Sequence, residues 1–375
     1  MKGNTLDQNK DRVIRLGAII TAVVAAALYS ISSPVSKLLL KELSPFQMAA
    51  LLYLGAGIGM LAVRLIRNLS FKEQKEAMLA RCELPYVLAM IILDIAAPIL
   101  LMLGLSRSDP ANVSLLNNFE IVATSCIAMF LFKEAIGRRM WIAIGFISIS
   151  SIILSLQGTQ SLTFSTGSLF VLLACCCWGF ENNCTRMLSS KDPFQIVAIK
   201  GLGSGVGALI ITMITGRYSR HIPSILFALL VGFIAYGLSI YFYIKAQRVL
   251  GAARTSTYYA TAPFIGAFLS WLIFREGITA QFILACIIML IGSYFAVSEV
   301  HYHPHVHDIV THEHKHIHTD GHHTHTHSPT LIGEHSHIHT HETLVHSHGH
   351  TPDTHHTHKH SSHETQKHQN TGNNR

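Results

Sequence analysis

Apolar and polar residues along most of this chain do not alternate; they separate into long blocks. Up to about residue 300 the apolar blocks run for the length of a bilayer crossing, and short polar clusters punctuate them. A helix spanning a hydrocarbon core about 30 Å thick needs about 20 predominantly apolar residues. Ten blocks meet that need: 16–38, 45–66, 85–105, 111–132, 139–157, 166–187, 194–215, 222–246, 253–274 and 278–297. The clusters between them hold turn and cap residues, among them Ser44 and Pro45, Asp109 and Pro110, Lys133 and Glu134, Asp192 and Pro193, and Arg275 and Glu276. The pattern predicts an all-α membrane protein with ten transmembrane helices. Lys2, Lys10, Arg12 and Arg15 ahead of the first block imitate the start of a signal peptide. That block is longer than a signal's apolar core and nine more follow, so it predicts a retained helix after a cytosolic segment, 1–15.

The blocks repeat once. Ser44-Pro45-Phe46-Gln47-Met48 is echoed by Asp192-Pro193-Phe194-Gln195-Ile196. At the same offset, Gly55, Gly57 and Gly59 are echoed by Gly203, Gly205 and Gly207. Further on, Leu131-Phe132-Lys133-Glu134 is matched by Ile273-Phe274-Arg275-Glu276. Each half, 16–157 and 166–298, then holds five helices. An odd number inverts the second half in the bilayer, an arrangement that marks secondary transporters because two alike halves give two alike states, one open to each side. Glycines four apart share a helix face and predict close helix packing. Gly201 to Gly207 lies inside an apolar block without a preceding strand, so it is not a dinucleotide-binding loop.

Composition supports the membrane assignment. Charged residues make up 13% of the chain, against about 25% in soluble domains. The net charge of +7 does not point to nucleic acid, because Lys and Arg sit in short loops between apolar blocks rather than along one face. They fit the positive-inside rule. With the N-terminus inside, the outer segments hold only Lys37, Lys41, Arg107, Arg217, Arg220 and Arg275, and the inner segments hold most of the rest. Ten crossings return the C-terminus to the cytosol. The expectation is a multi-pass protein of the plasma or inner cell membrane with the lipid bilayer as its constant partner, as a monomer or a homodimer. Cys82, Cys126, Cys175, Cys176, Cys177, Cys184 and Cys286 lack CxxC spacing and mostly fall in apolar blocks, where they read as small apolar residues.

Charges inside the blocks need a reason, since each costs about 2.5–3.5 kcal/mol at the bilayer centre on insertion scales. Asp94, Glu120, Glu181 and Lys200 are such charges, and Lys245 lies near enough to a helix end to snorkel. Asn117, Glu120 and Thr124 share one helix face; Trp178, Glu181, Asn182 and Thr185 share another. A polar stripe on a membrane helix faces protein or water, not lipid. Asp94, Asn117, Glu120, Trp178, Glu181 and Tyr259 are therefore the candidate substrate and proton pathway. Burial favours the neutral form of a carboxylic acid, which lets such a group load and release a proton. Tyr236, Tyr243, Tyr258 and Tyr259 either line an organic-solute pocket or simply pack. No catalytic residue and no required cofactor is expected.

The paired halves, the Phe-Lys/Arg-Glu turns and the stretch Gly251 to Pro263 together resemble the EamA repeats of the drug/metabolite transporter superfamily. The resemblance covers about residues 15–298. It implies a ten-helix secondary transporter with a central cavity between the halves and both termini inside. One position departs from the family pattern: the proline usual in the first half is replaced by Ile121, beside Glu120.

Beyond residue 299 the chain changes character. All of its 26 histidines except His221 lie there. Few apolar residues accompany them, so 299–375 is expected to be disordered. Alternation places His312, His314, His316 and His318, then His335, His337, His339 and His341, then His346, His348 and His350, in positions where two imidazoles of an extended chain share one side. Such pairs suit zinc, nickel, cobalt or copper. Three functions compete: transport of a small organic solute with a metal-responsive tail, transport of a divalent metal collected by the tail, and a membrane-anchored metal store or sensor. Ten crossings with buried acids exceed what a store needs. The body is poor in histidine, which ranks the organic solute first.

Overall fold

The computed structural model describes residues 3–70, 79, 81–132, 136–156, 164–188, 191–250, 255, 258–275, 277–298, 301–307, 310–316, 335–341 and 344–350. The described residues of the body are almost wholly helical. Its helices are α1 (Gly3–Ser30), α2 (Ser32–Leu39), α3 (Pro45–Ser70), α4 (Leu84–Arg107), α5 (Pro110–Leu116), α6 (Phe119–Phe132), α7 (Arg138–Ser155), α8 (Thr166–Arg186), α9 (Pro193–Thr215), α10 (Ile222–Val231), α11 (Ser239–Leu250), α12 (Ala262–Phe274) and α13 (Ala280–Val297). The predicted starts hold for chemical reasons. Pro45, Pro110 and Pro193 occupy first helical positions, where a missing N–H costs nothing. The Asp192 carboxylate accepts from Phe194 N at 2.9 Å, and the Thr279 hydroxyl from Phe282 N at 3.1 Å. At the far end of α9, Gly216 adopts φ 64°, a left-handed cap natural to glycine.

Among the described residues, eight helical stretches are long and apolar enough to cross a membrane: Leu16–Leu39, Pro45–Ile66, Arg81–Arg107, Pro110–Leu131, Arg138–Ser155, Pro193–Thr215, Ile222–Ala246 and Ala280–Val297. Two expected crossings differ. Thr166–Arg186 has 21 residues but carries Glu181, Asn182, Asn183 and Arg186, so it lacks uniform apolarity. Ala262–Phe274 is apolar but only 13 residues long, with residues 255 and 258–259 also helical before it. The outward surface is apolar: Ile92, Phe130, Ile152, Leu226, Phe268 and Ile287 are all exposed. A soluble protein does not present such a continuous apolar face, and a lipid-facing one must.

The helices pair in a pattern that exchanges the two halves. α3 packs on α9, α7 on α13 and α5 on α12; α4 packs on α8, and α1 on α11. Matching the five helical segments of each half in order maps the first three pairings onto themselves and the last two onto each other. The repeated glycines make equivalent contacts. A Cβ on Gly55 or Gly59 would meet Leu229 or Phe233, in and just after α10. A Cβ on Gly203 or Gly207 would meet Ile91 or Ile95 of α4. Where α3 crosses α9, the backbones touch: a Cβ on Gly201 would lie 2.5 Å from Gly57 N and 2.8 Å from the Tyr53 carbonyl oxygen.

Both ends of this bundle are tied across the halves. At one end Arg64 meets Asp192 at 3.2 Å and Lys191 meets Glu83 at 3.1 Å. At the opposite end of α3, the Gln47 amide donates to Ser219 O at 2.9 Å and accepts from Ser219 N at 2.7 Å.

In the tail, four strands stand where disorder is expected: β1 (His301–His307), β2 (Val310–His316), β3 (His335–His341) and β4 (Leu344–His350). β1 pairs antiparallel with β4 and β2 with β3. The register sets His301, His303 and His305 opposite His350, His348 and His346. It also sets His312, His314 and His316 opposite His339, His337 and His335. The period-two alternation that pairs imidazoles is also the period of a strand. His318 and the Lys133–Glu134 turn lie outside the described residues.

Candidate functional site

Four of the ten expected helical segments lose regular helical geometry part-way along, and the site is built at those breaks. The first crossing is interrupted between α1 and α2 at Ile31, just ahead of Pro34, which has no N–H to give the helix. The fourth breaks between α5 and α6 at Asn117 and Asn118, whose side chains compete for backbone partners. The eighth widens into a π-helix over Gly232–Leu238, between α10 and α11. There Gly232 lets the chain press on α3, since a Cβ would lie 2.1 Å from the Leu52 carbonyl oxygen. The ninth is irregular ahead of α12, around Tyr259 and Thr261. Serines stitch the breaks together. The Ser30 hydroxyl donates to Ala262 O at 2.8 Å, the Ser32 hydroxyl to the Tyr236 hydroxyl at 3.2 Å, and the Ser239 hydroxyl to Ala25 O at 2.8 Å.

An ion network crosses the interface of the halves beside these breaks. Lys200 of α9 places its ammonium 3.1 Å from Asp94 of α4 and 3.0 Å from Glu181 of α8. Asp94 and Glu181 are buried, at 0% and 1% exposure. The Tyr53 hydroxyl donates to Asp94 at 2.9 Å, and Trp178 Nε1 donates to that hydroxyl at 3.3 Å. Thr185, one turn beyond, donates to Glu181. Desolvation makes an isolated charge untenable here, so each member depends on the others.

Glu120 belongs to an adjoining cluster. The Asn182 amide donates to Glu120 at 2.6 Å and lies 3.3 Å from the Thr124 hydroxyl, joining the polar faces of α6 and α8. That approach is close because Gly179 is on α8: a Cβ there would meet Thr124 N at 2.7 Å. Asn183 fixes the same crossing by donating to Thr124 O at 3.1 Å. A run of tyrosines connects the two clusters. Ring centroids are 5.5 Å apart for Tyr53 and Tyr236, 5.8 Å for Tyr236 and Tyr29, 5.9 Å for Tyr29 and Tyr259, and 4.9 Å for Tyr259 and Tyr243.

Of the residues singled out by sequence, Asp94, Trp178 and Glu181 fall in the ion network, Glu120 in the adjoining cluster and Tyr259 on the tyrosine run. Asn117 sits at the α5–α6 break, where its buried Oδ1 has no hydrogen-bond partner. Lys200 was visible as an intramembrane charge but had no assigned role, and Tyr29 and Tyr53 had no charged neighbour in sequence to mark them. Among the described residues, no group of three or more His, Cys, Asp or Glu side chains is placed to hold a metal ion. The cysteines are free, with Cys175 and Cys184 buried.

A bundle of membrane-length helices in two exchanged halves, interrupted where it presents charged and aromatic groups to its centre, has the build of a membrane transporter. The EamA-like transporter family model matches residues 16–156 and 165–298, and the chain belongs to that family. It is 25% identical over 294 residues to a protein of Methanothermobacter thermautotrophicus named "Uncharacterized transporter", covering 74% of this chain and 85% of that one. It is 21% identical over 220 residues to "Uncharacterized transporter YyaM" of Bacillus subtilis, covering 56% of this chain and 72% of that one. A solved crystal structure superposes with a TM-score of 0.52 at 16% identity, over 75% of this chain and 96% of that one, a likeness of fold alone.

Proposed function

We propose that this protein is a ten-helix secondary transporter that moves a small organic solute across a cell membrane by alternating access, with both termini on the cytosolic side. The observation that carries the proposal is the convergence of four interrupted crossings on a buried ion network drawn from both halves. Irregular backbone at membrane depth is tolerated only where it packs in protein or lines a wet cavity, and inverted-repeat transporters hold their solutes at such breaks. The ties at the two ends of the bundle act as opposing closures, one of which must open in each state.

Glu120 and Glu181 serve as the coupling groups, taking a proton on one side and releasing it on the other. The tail binds zinc, nickel, cobalt or copper and regulates transport from the cytosol. It is not part of the route, because the body's single histidine, His221, sits at the start of α10 with its ring nitrogen 2.8 Å from the Ser224 hydroxyl. Proteoliposomes carrying the full chain, given a panel of amino acids, amines and metals under an imposed pH gradient, test the proposal. Gradient-driven uptake of an organic solute is expected, and it should vanish in the Glu120→Gln/Glu181→Gln double variant. Uptake of metals alone, or proton coupling unchanged in that variant, refutes it.

A further inference from the structure

The interior is short of positive charge. Asp94, Glu120 and Glu181 converge there, yet the one ammonium among the described residues near them, Lys200, is shared by Asp94 and Glu181. Among the described residues no cation lies within ion-pair distance of Glu120, whose hydrogen-bond donor is the Asn182 amide. Glu120 is half-buried. Asn117, in the turn before it, is 8% exposed and leaves its buried Oδ1 without a donor. Asn117 Oδ1 thus has no donor and Glu120 has only the Asn182 amide, an arrangement that is costly unless a ligand brings further N–H groups.

The other helix breaks carry tyrosines. The rings of Tyr236, Tyr29, Tyr259 and Tyr243 follow one another with neighbouring centroids 5.8, 5.9 and 4.9 Å apart. Two of them have hydroxyls that already have protein partners: Tyr236 bonds with Ser32 and Tyr259 with Ser239. Tyr236 is buried, whereas half-buried Tyr259 is left with its ring to offer a solute, and ring faces carry negative potential that attracts organic cations.

We infer that the solute is an organic cation bearing N–H donors, an alkylammonium or guanidinium on an apolar body, held by Glu120 and Asn117 among the tyrosines. This rests on the transport proposal above. The test uses the full chain in proteoliposomes with three labelled probes that share a benzyl or phenyl body: benzylguanidinium, benzyltrimethylammonium and benzenesulfonate. Benzylguanidinium should enter above the level of protein-free vesicles, benzyltrimethylammonium more weakly for want of N–H groups, and benzenesulfonate not at all.

Glu120→Gln should lower benzylguanidinium uptake by about tenfold or more, with Glu120→Asp in between. Asn117→Ala and Tyr259→Leu, which keep Glu120, should each lower it several-fold, so a Glu120 variant that fails to fold does not end the test. Entry of benzenesulfonate in preference to, or equally with, benzylguanidinium overturns the cation assignment and leaves transport standing. Uptake of none of the three overturns both. Benzylguanidinium uptake unchanged in all of these variants overturns the site.

Discussion

At the level of single side chains, Lys200 matters through its sharing. One ammonium serves two carboxylates on two different helices. Lys200→Met strands both, and breaking a buried pair by removing one partner costs about 3–5 kcal/mol. Asp94→Asn leaves Glu181 paired and removes one charge, so it should cost clearly less. Thermal unfolding of the two variants in detergent distinguishes them; equal damage from both would show that Lys200 is not the common counter-ion. The sequence exposed these charges because each stands out in an apolar block, but not their pairing. Residues 94, 181 and 200 lie on three helices, and no local spacing encodes how those helices meet. The tyrosines were hidden for a related reason: Tyr53 and Tyr29 look like ordinary apolar packing until α3 and the α1–α2 break bring them to Tyr236.

Among the elements, helix existence was legible and helix regularity was not. Block length and proline starts gave eight of the ten expected crossings among the described residues, since hydrocarbon thickness sets how many apolar residues a helix needs. The breaks at Ile31 and at Asn117–Asn118, and the π-helix at Gly232–Leu238, depend on neighbours across the bundle. Pro98 makes the contrast: it lies inside α4 and does not divide that helix. The repeated glycines were read correctly as packing residues, and contacts show with which partners. Gly201→Ala would push a methyl against the α3 backbone, whereas Gly17→Ala meets nothing within 4 Å. Overpacking costs about 1–3 kcal/mol. The first variant should therefore melt markedly lower in detergent and the second close to wild type; the same melting temperature for both would mean that α3 and α9 are not in backbone contact.

Over the whole molecule, body and tail separate cleanly in composition, with one apolar and the other dominated by histidine. Among the described residues, the tail strands pair mainly with one another and not with the body's helices. Deleting residues 301–375 should leave a body that inserts and folds as before, checked by size-exclusion profile and by labelling of engineered cysteines at the loops. A truncated body that is degraded or misinserted would mean the two parts fold together. Metal should act on the tail alone: zinc titrated into the full chain should release protons and heat, and the truncated body should give little of either. The tail's histidine alternation was legible in the sequence but its strands were not, because a two-stranded ribbon is marginal in water and propensity cannot settle its register.

The crossing of Gly201 with Gly57 and Tyr53 has a geometric consequence. The repeat offset carries Tyr53 onto Gly201, so this contact lies on the axis that exchanges the halves. Were the halves to trade shapes, most residues would shift and this spot would not. Under the alternating access proposed above it would be the fulcrum: bulk added there should jam the stroke in both directions at once, while bulk added at either mouth should bias it toward one side.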